Sequence, residues 1–133
     1  MIMKKEQFTL YYNPKNKILY QTWIGFMDSE KFKKCCDEIL STCKKHDVIG
    51  YISDSKKQSI VPKEGIEYAI KISDEIKKCG VEFEAHVKPD NPFGKLSVLE
   101  YYEQKNINGG TINIFNTIQQ AEDWINSSRK DLL

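Results

Sequence analysis

Val81-Glu82-Phe83-Glu84-Ala85-His86-Val87 alternates apolar and polar side chains without a break. A period of two sends successive side chains to opposite faces of a β-strand. The segment therefore predicts a strand with one apolar face and one face carrying Glu82, Glu84 and His86. Thr111-Ile112-Asn113-Ile114-Phe115 repeats the pattern, whereas Val48-Ile49-Gly50-Tyr51-Ile52 is almost wholly apolar and suits a central strand. Parallel sheets sandwiched between helices read as continuous apolar runs. Two alternating strands thus predict helices mainly on one face, with the other at least partly open.

The segments between these strands read as helices. After Asp28 or Ser29 as cap, apolar residues fall at 32, 35, 36, 39, 40 and 43, and Lys44, Lys45 and His46 close the helix where its dipole favours cations. Pro62 opens a second helix with Ile66, Ala69, Ile70 and Ile76 on one face, stopped by Gly80 after Cys79. A third spans roughly 94–106, with Leu96, Leu99 and Tyr102 expected inward. Thr117-x-x-Gln120 is a capping box for the last helix, which runs through Ala121, Trp124 and Ile125. Upstream, strands at 8–13 and 17–25 flank Asn13-Pro14-Lys15-Asn16, a hairpin signal. The order is ββαβαβαβα: one α/β domain over residues 1–133 with a mixed, mostly parallel sheet.

Composition narrows the function classes. Lys and Arg total 20 against 19 Asp and Glu, and Arg129 is the sole arginine. A nucleic-acid binder needs a basic excess and the bidentate guanidinium fork, so no nucleic-acid partner is expected. No apolar run reaches the roughly 20 residues of a membrane span, and Met1–Glu6 lack the apolar core of a signal peptide. A cytoplasmic location is the expectation. Cys35, Cys36, Cys43 and Cys79 show no C-x2-C spacing, and there are only two histidines, which excludes the usual zinc patterns. Cys35 or Cys36, Cys43 and Cys79 are expected to be reduced and largely buried.

Several short patterns together resemble the small STAS-like (SpoIIAA-like, or STAS/SEC14) single-domain bacterial proteins. They are Trp23-x-Gly25 before Glu30-x-Phe32, Tyr51-x-x-Asp54, Ala85-x-Val87-x-Pro89, and Phe115-x5-Ala121-x-x-Trp124-Ile125, spread over residues 8–126. The resemblance implies a SpoIIAA-like fold, helices on one face of a mixed sheet and no enzymatic activity. Signalling members carry a phosphorylatable serine in an Asp-Ser-Ser-Gly-like turn at the start of the second helix. Pro62-Lys63-Glu64-Gly65 stands there instead, with Ser55 and Ser59 upstream.

No catalytic set emerges. His46 lies at a helix end, and His86, Glu82 and Glu84 read as a solvated strand face. No glycine-rich phosphate loop is present. The candidate binding residues are those expected beyond the carboxyl ends of the strands, where open α/β sheets hold ligands. They are Asp54, Ser55, Lys56, Lys57 and Ser59, then Lys88, Asn91 and Phe93, with Trp23 bordering them. These residues suit a small anion or an acidic partner, or are simply solvated turns. A second candidate is the open sheet face, expected to expose Tyr11, Gln21, Glu84, His86 and Asn113. The expected function is a non-catalytic regulatory or protein-interaction domain, with a protein partner or homodimer and no cofactor or metal. The alternative is a small-molecule or lipid-binding module of SEC14-like type, and the third an enzyme whose site the motifs do not reveal.

Overall fold

A computed structural model describes residues 2–107 and 112–129. Six strands lie in sequence order across one sheet: β1 (Met3–Lys4), β2 (Phe8–Asn13), β3 (Ile18–Gly25), β4 (Gly50–Gln58), β5 (Phe83–Val87) and β6 (Ile112–Phe115). The first three pair antiparallel and the rest parallel. Helices α1 (Ser29–Lys45), α2 (Lys63–Lys78) and α3 (Pro92–Ile107) make the three crossovers, and α4 (Ile118–Ser128) ends the chain. The expected order holds, with β1 added at the edge. Two residues are too few to leave a periodic signal; β1 exists because Met3 and Lys4 pair with Leu10 and Thr9.

The hairpin between β2 and β3 closes where Lys17 takes φ 59° and its N–H reaches Asn13 O at 2.8 Å. Asp28 caps α1 by accepting from Lys31 N at 2.9 Å. The buried stripe of α1, with Phe32, Cys35, Cys36, Ile39 and Cys43, joins Ile72 and Ile76 of α2 over Phe8, Leu10, Leu19 and Tyr51. On the opposite face, Ala121 and Ile125 of α4 pack on Ile18, Ile52, Phe83, Ala85 and Val87. Trp124 meets Phe83 and Phe115 edge-on or tilted at 5.7 and 5.5 Å. Three helices thus cover one face and a single short one covers part of the other. No helix among the described residues is long and apolar enough to cross a membrane.

Four expectations are corrected. Residues 53–58 are strand rather than loop: β4 runs to Gln58, pairing past an irregularity between Thr22 and Ile24. The polar face of β5 is not the open one. Glu84 and His86 lie under α2 and α3, and Gln21 of β3 is buried on the same side, because the apolar face of β5 is claimed by α4. Helix α3 buries Gly94, Ser97, Val98 and Tyr101 and exposes Leu96 and Leu99; the Tyr102 side chain is outside the described set. Cys79 is exposed because it caps the overhanging end of α2, before Gly80 at φ +99°, while Cys35, Cys36 and Cys43 are buried and all four are free thiols.

Candidate functional site

β3, β4 and β5 present a row of polar residues to the three-helix layer. Gln21 and Trp23 come from β3, Ser53 and Ser55 from β4, and Glu84 and His86 from β5; the parallel register sets Gln21 beside Ser53 and Ser53 beside His86. Between this floor and the helices lies a cavity of about 80 Å³, roofed by Phe32, Ile39, Val61, Ile66, Ile72 and Ile76. Trp23 stacks on Phe32 at 5.0 Å and donates its indole N–H to Ser53 Oγ at 3.1 Å, which fixes the ring along one wall.

One end of the cavity is closed by a buried network centred on Glu84. Its carboxylate accepts from Ser73 Oγ (2.6 Å), Tyr101 Oη (2.6 Å) and His86 Nε2 (2.7 Å). An ionised carboxylate only accepts, so Nε2 carries a proton, and Tyr51 Oη, 3.5 Å from Tyr101 Oη, donates to it. Burial by itself raises the Glu84 pKa, but the hydrogen bond and charge of His86, then Ser73 and Tyr101, outweigh it and bring the value down to about 2. Burial, followed by the Glu84 charge, pushes both tyrosines well above their ordinary 10.0. The network holds a charge in place. Among the described residues no serine or cysteine side chain hydrogen-bonds to His86. Nor do the described residues hold a group of three or more metal-ligating side chains.

The residues singled out from sequence separate into two sets. Trp23 and Ser55 line the cavity. Asp54, Lys56, Lys57, Ser59, Lys88, Asn91 and Phe93 stand on the outer rim at the carboxyl ends of β4 and β5. There Asp54 Oδ1 accepts from Lys56 N at 3.1 Å, and Asn91 bridges Gln58 O (2.5 Å) and Gly94 N (2.7 Å). Strand order is monotonic from β3 to β6, so it has no reversal point and this edge is a rim rather than a crevice. Sequence reasoning passed over Gln58, Ser53, Ser73 and Tyr101 and assigned Gln21, Glu84 and His86 to the surface. A signal was present: Gln21 interrupts the apolar period of Leu19 and Trp23, and Tyr51-x-Ser53-x-Ser55 repeats it on the next strand.

No family model and no curated protein matches the sequence. Solved structures do match in fold. SpoIIAA, an anti-sigma factor antagonist in its unphosphorylated form, superposes with a TM-score of 0.65 and 13% identity over 90% of this chain and 97% of that one. A proposed anti-sigma factor antagonist from Thermotoga maritima gives 0.61 and 15% over 90% and 94%. SLC26A9 gives 0.56 and 19%, with 99% of this chain on 24% of that one. The chain has the fold of SpoIIAA, the STAS fold.

Proposed function

We propose that this chain is a non-catalytic regulatory domain that acts by binding a partner protein, in the sense that "anti-sigma factor antagonist" describes SpoIIAA. The observation that carries the reading is the apolar rim. Phe93 and Leu96 at the start of α3 are each 63% exposed, and Ile60 and Phe26 are exposed beside them in sequence segments tied together at this end. Ser59 N bonds to Gly25 O, Val61 N to Ser97 Oγ, and Asn91 Nδ2 to Gln58 O, so these segments form one surface. Large exposed apolar side chains gathered at one end are the mark of an interaction site. Lys56, Lys57, Lys63 and Lys95 lie exposed among them, which favours an acidic, amphipathic partner surface.

Control by phosphorylation would take a different form from the serine turn of signalling STAS proteins. Pro62-Lys63-Glu64-Gly65 offers no hydroxyl, and Ser55 is buried in the cavity wall. Ser59, half-exposed, is the hydroxyl of this segment that a kinase reaches. A cytoplasmic location belongs to the same reading, supported by four cysteines of which none pairs with another.

Affinity capture from the source cell tests the rim. Phe93→Asp combined with Leu96→Asp should lose a partner that the unaltered chain retains, while unfolding stability changes by less than about 0.5 kcal/mol, as for ordinary surface substitutions. Retention of the same partner by the double variant would move the interaction elsewhere.

A further inference from the structure

The cavity beneath the helices contains more hydrogen-bonding capacity than the protein uses. Gln21, Ser55 and Gln58 are only 3%, 2% and 7% exposed, and all three line it. Among the described residues no protein group hydrogen-bonds to their side chains. Every described polar side-chain atom sealed inside the protein does have a partner, so the unpartnered amides and hydroxyl are those that reach the cavity space. Buried polar groups left without partners cost free energy, and a site meant only for packing would carry apolar residues of the same shape.

The remaining walls define what fits. Among the described residues no Lys, Arg, Asp or Glu lines the cavity, and His86, which does, commits Nε2 to Glu84. The charge of Glu84 is already matched by three donors. An ionic ligand would therefore enter without a counter-charge, at a large desolvation cost. The helix side is aliphatic and aromatic, so one face of the ligand is apolar. The volume, about 80 Å³, is roughly half the ~150 Å³ that admits benzene, which favours a ligand of only a few heavy atoms. Ser53, Ser73, His86, Ser97, Tyr51 and Tyr101 also line it, but each already has a protein partner. The groups left over are two carboxamides, each with an acceptor and two donors, and a hydroxyl with both capacities. Their closest complement is another amide, whose C=O and NH₂ pair edge-to-edge with a carboxamide.

We infer that this cavity is a binding site for a small, uncharged carboxamide, held through Gln21, Gln58 and Ser55 with its apolar end against the helices. The inference is independent of the rim and its partner. The test is titration of isotope-labelled full-length chain with acetamide, followed by NMR at the Trp23 indole N–H and the Gln21 and Gln58 side-chain amides. Acetamide should shift these resonances saturably, whereas acetate, of the same shape but charged, and acetone, which lacks donors, should not. Gln21→Leu and Gln58→Leu should each weaken acetamide binding at least tenfold. Both should remain folded, since each replaces an unpartnered polar group by an apolar one; Ser55→Ala is the milder check, expected to weaken binding several-fold. Phe93→Asp with Leu96→Asp should leave acetamide binding unchanged. Non-saturable shifts, equal response to acetone, or undiminished binding by the leucine variants would each overturn the inference.

Discussion

A carboxylate with 7% of its surface exposed survives beneath two helices only because every oxygen is met by a donor. For Glu84 those donors come from three places in the sequence: His86 two residues away, Ser73 on α2, and Tyr101 on α3, the last itself backed by Tyr51 of β4. The arrangement has a pH signature. The ordinary carboxyl value of 4.5 is brought down to about 2 in the folded chain. At about 1.4 kcal/mol per pH unit, this is a contribution of about 3 kcal/mol. A depressed folded value means the contribution is complete above about pH 4.5 and is lost as pH falls from there towards 2. Urea unfolding between pH 6 and pH 3 should show this loss, and Glu84→Gln should flatten the curve over that window. Glu84→Ala should cost about 3–5 kcal/mol at pH 7, because it strands the facing donors and the His86 partner. A cost under about 1 kcal/mol would mean the network is not held as described. The alternation of residues 81–87 marks a strand that is realised over Phe83–Val87, but its polar face was assigned to water. Periodicity reports which residues share a face, and only tertiary packing decides which face the thicker helical layer covers.

At the scale of elements, caps and stops were the most legible features. Asp28 caps α1, and Thr117 Oγ1 accepts from Gln120 N at 3.1 Å. The Gln120 side chain completes a variant of the capping box by accepting from Asn116 N at 3.0 Å, one residue before the cap. These signals are local, so a single chain reveals them. α3 was legible in position and misread in orientation. Its apolar residues are spread around the helix, with Phe93, Leu96 and Leu99 outward and Val98 and Tyr101 inward, and no single stripe dominates. What seats α3 is a glycine. A Cβ at Gly94 would stand 2.5 Å from Gln58 O and 2.9 Å from Pro89 Cβ, so the first turn lies directly against the end of β4. Gly94→Ala should therefore destabilise the fold by about 1–3 kcal/mol, opposite in sign to the gain from helix propensity. The same substitution should raise amide exchange in α3 before α1. An alanine variant as stable as the parent would show that α3 shifts freely.

The whole molecule is a sheet with unequal covers. One face carries three helices and a core from Phe8 to Val81; the other carries α4 over a smaller core from Ile18 to Ile125. The element order and the mostly parallel pairing were readable from the repeated βα units. The second cover was not, because α4 reads as just another crossover-length helix until its partners are seen to be Ile52, Phe83 and Ala85. The two layers are linked through the strands themselves. Tyr51 and Ile52, or Glu84 and Ala85, are chain neighbours with side chains in opposite layers, so disturbing a central strand disturbs both cores. The two tryptophans of the chain report on the layers separately: Trp23 against Phe8 and Phe32 in one, Trp124 against Phe83 and Phe115 in the other. Trp124→Phe and Trp23→Phe each leave one fluorophore for equilibrium unfolding in urea. For a domain of this length with shared strands, both transitions should have the same midpoint, after correction for each substitution by circular dichroism of the same variant. A Trp124 transition at lower urea than the circular dichroism midpoint of its own variant would show that α4 leaves the sheet before the three-helix layer opens. The strands would then not transmit stability between the two faces.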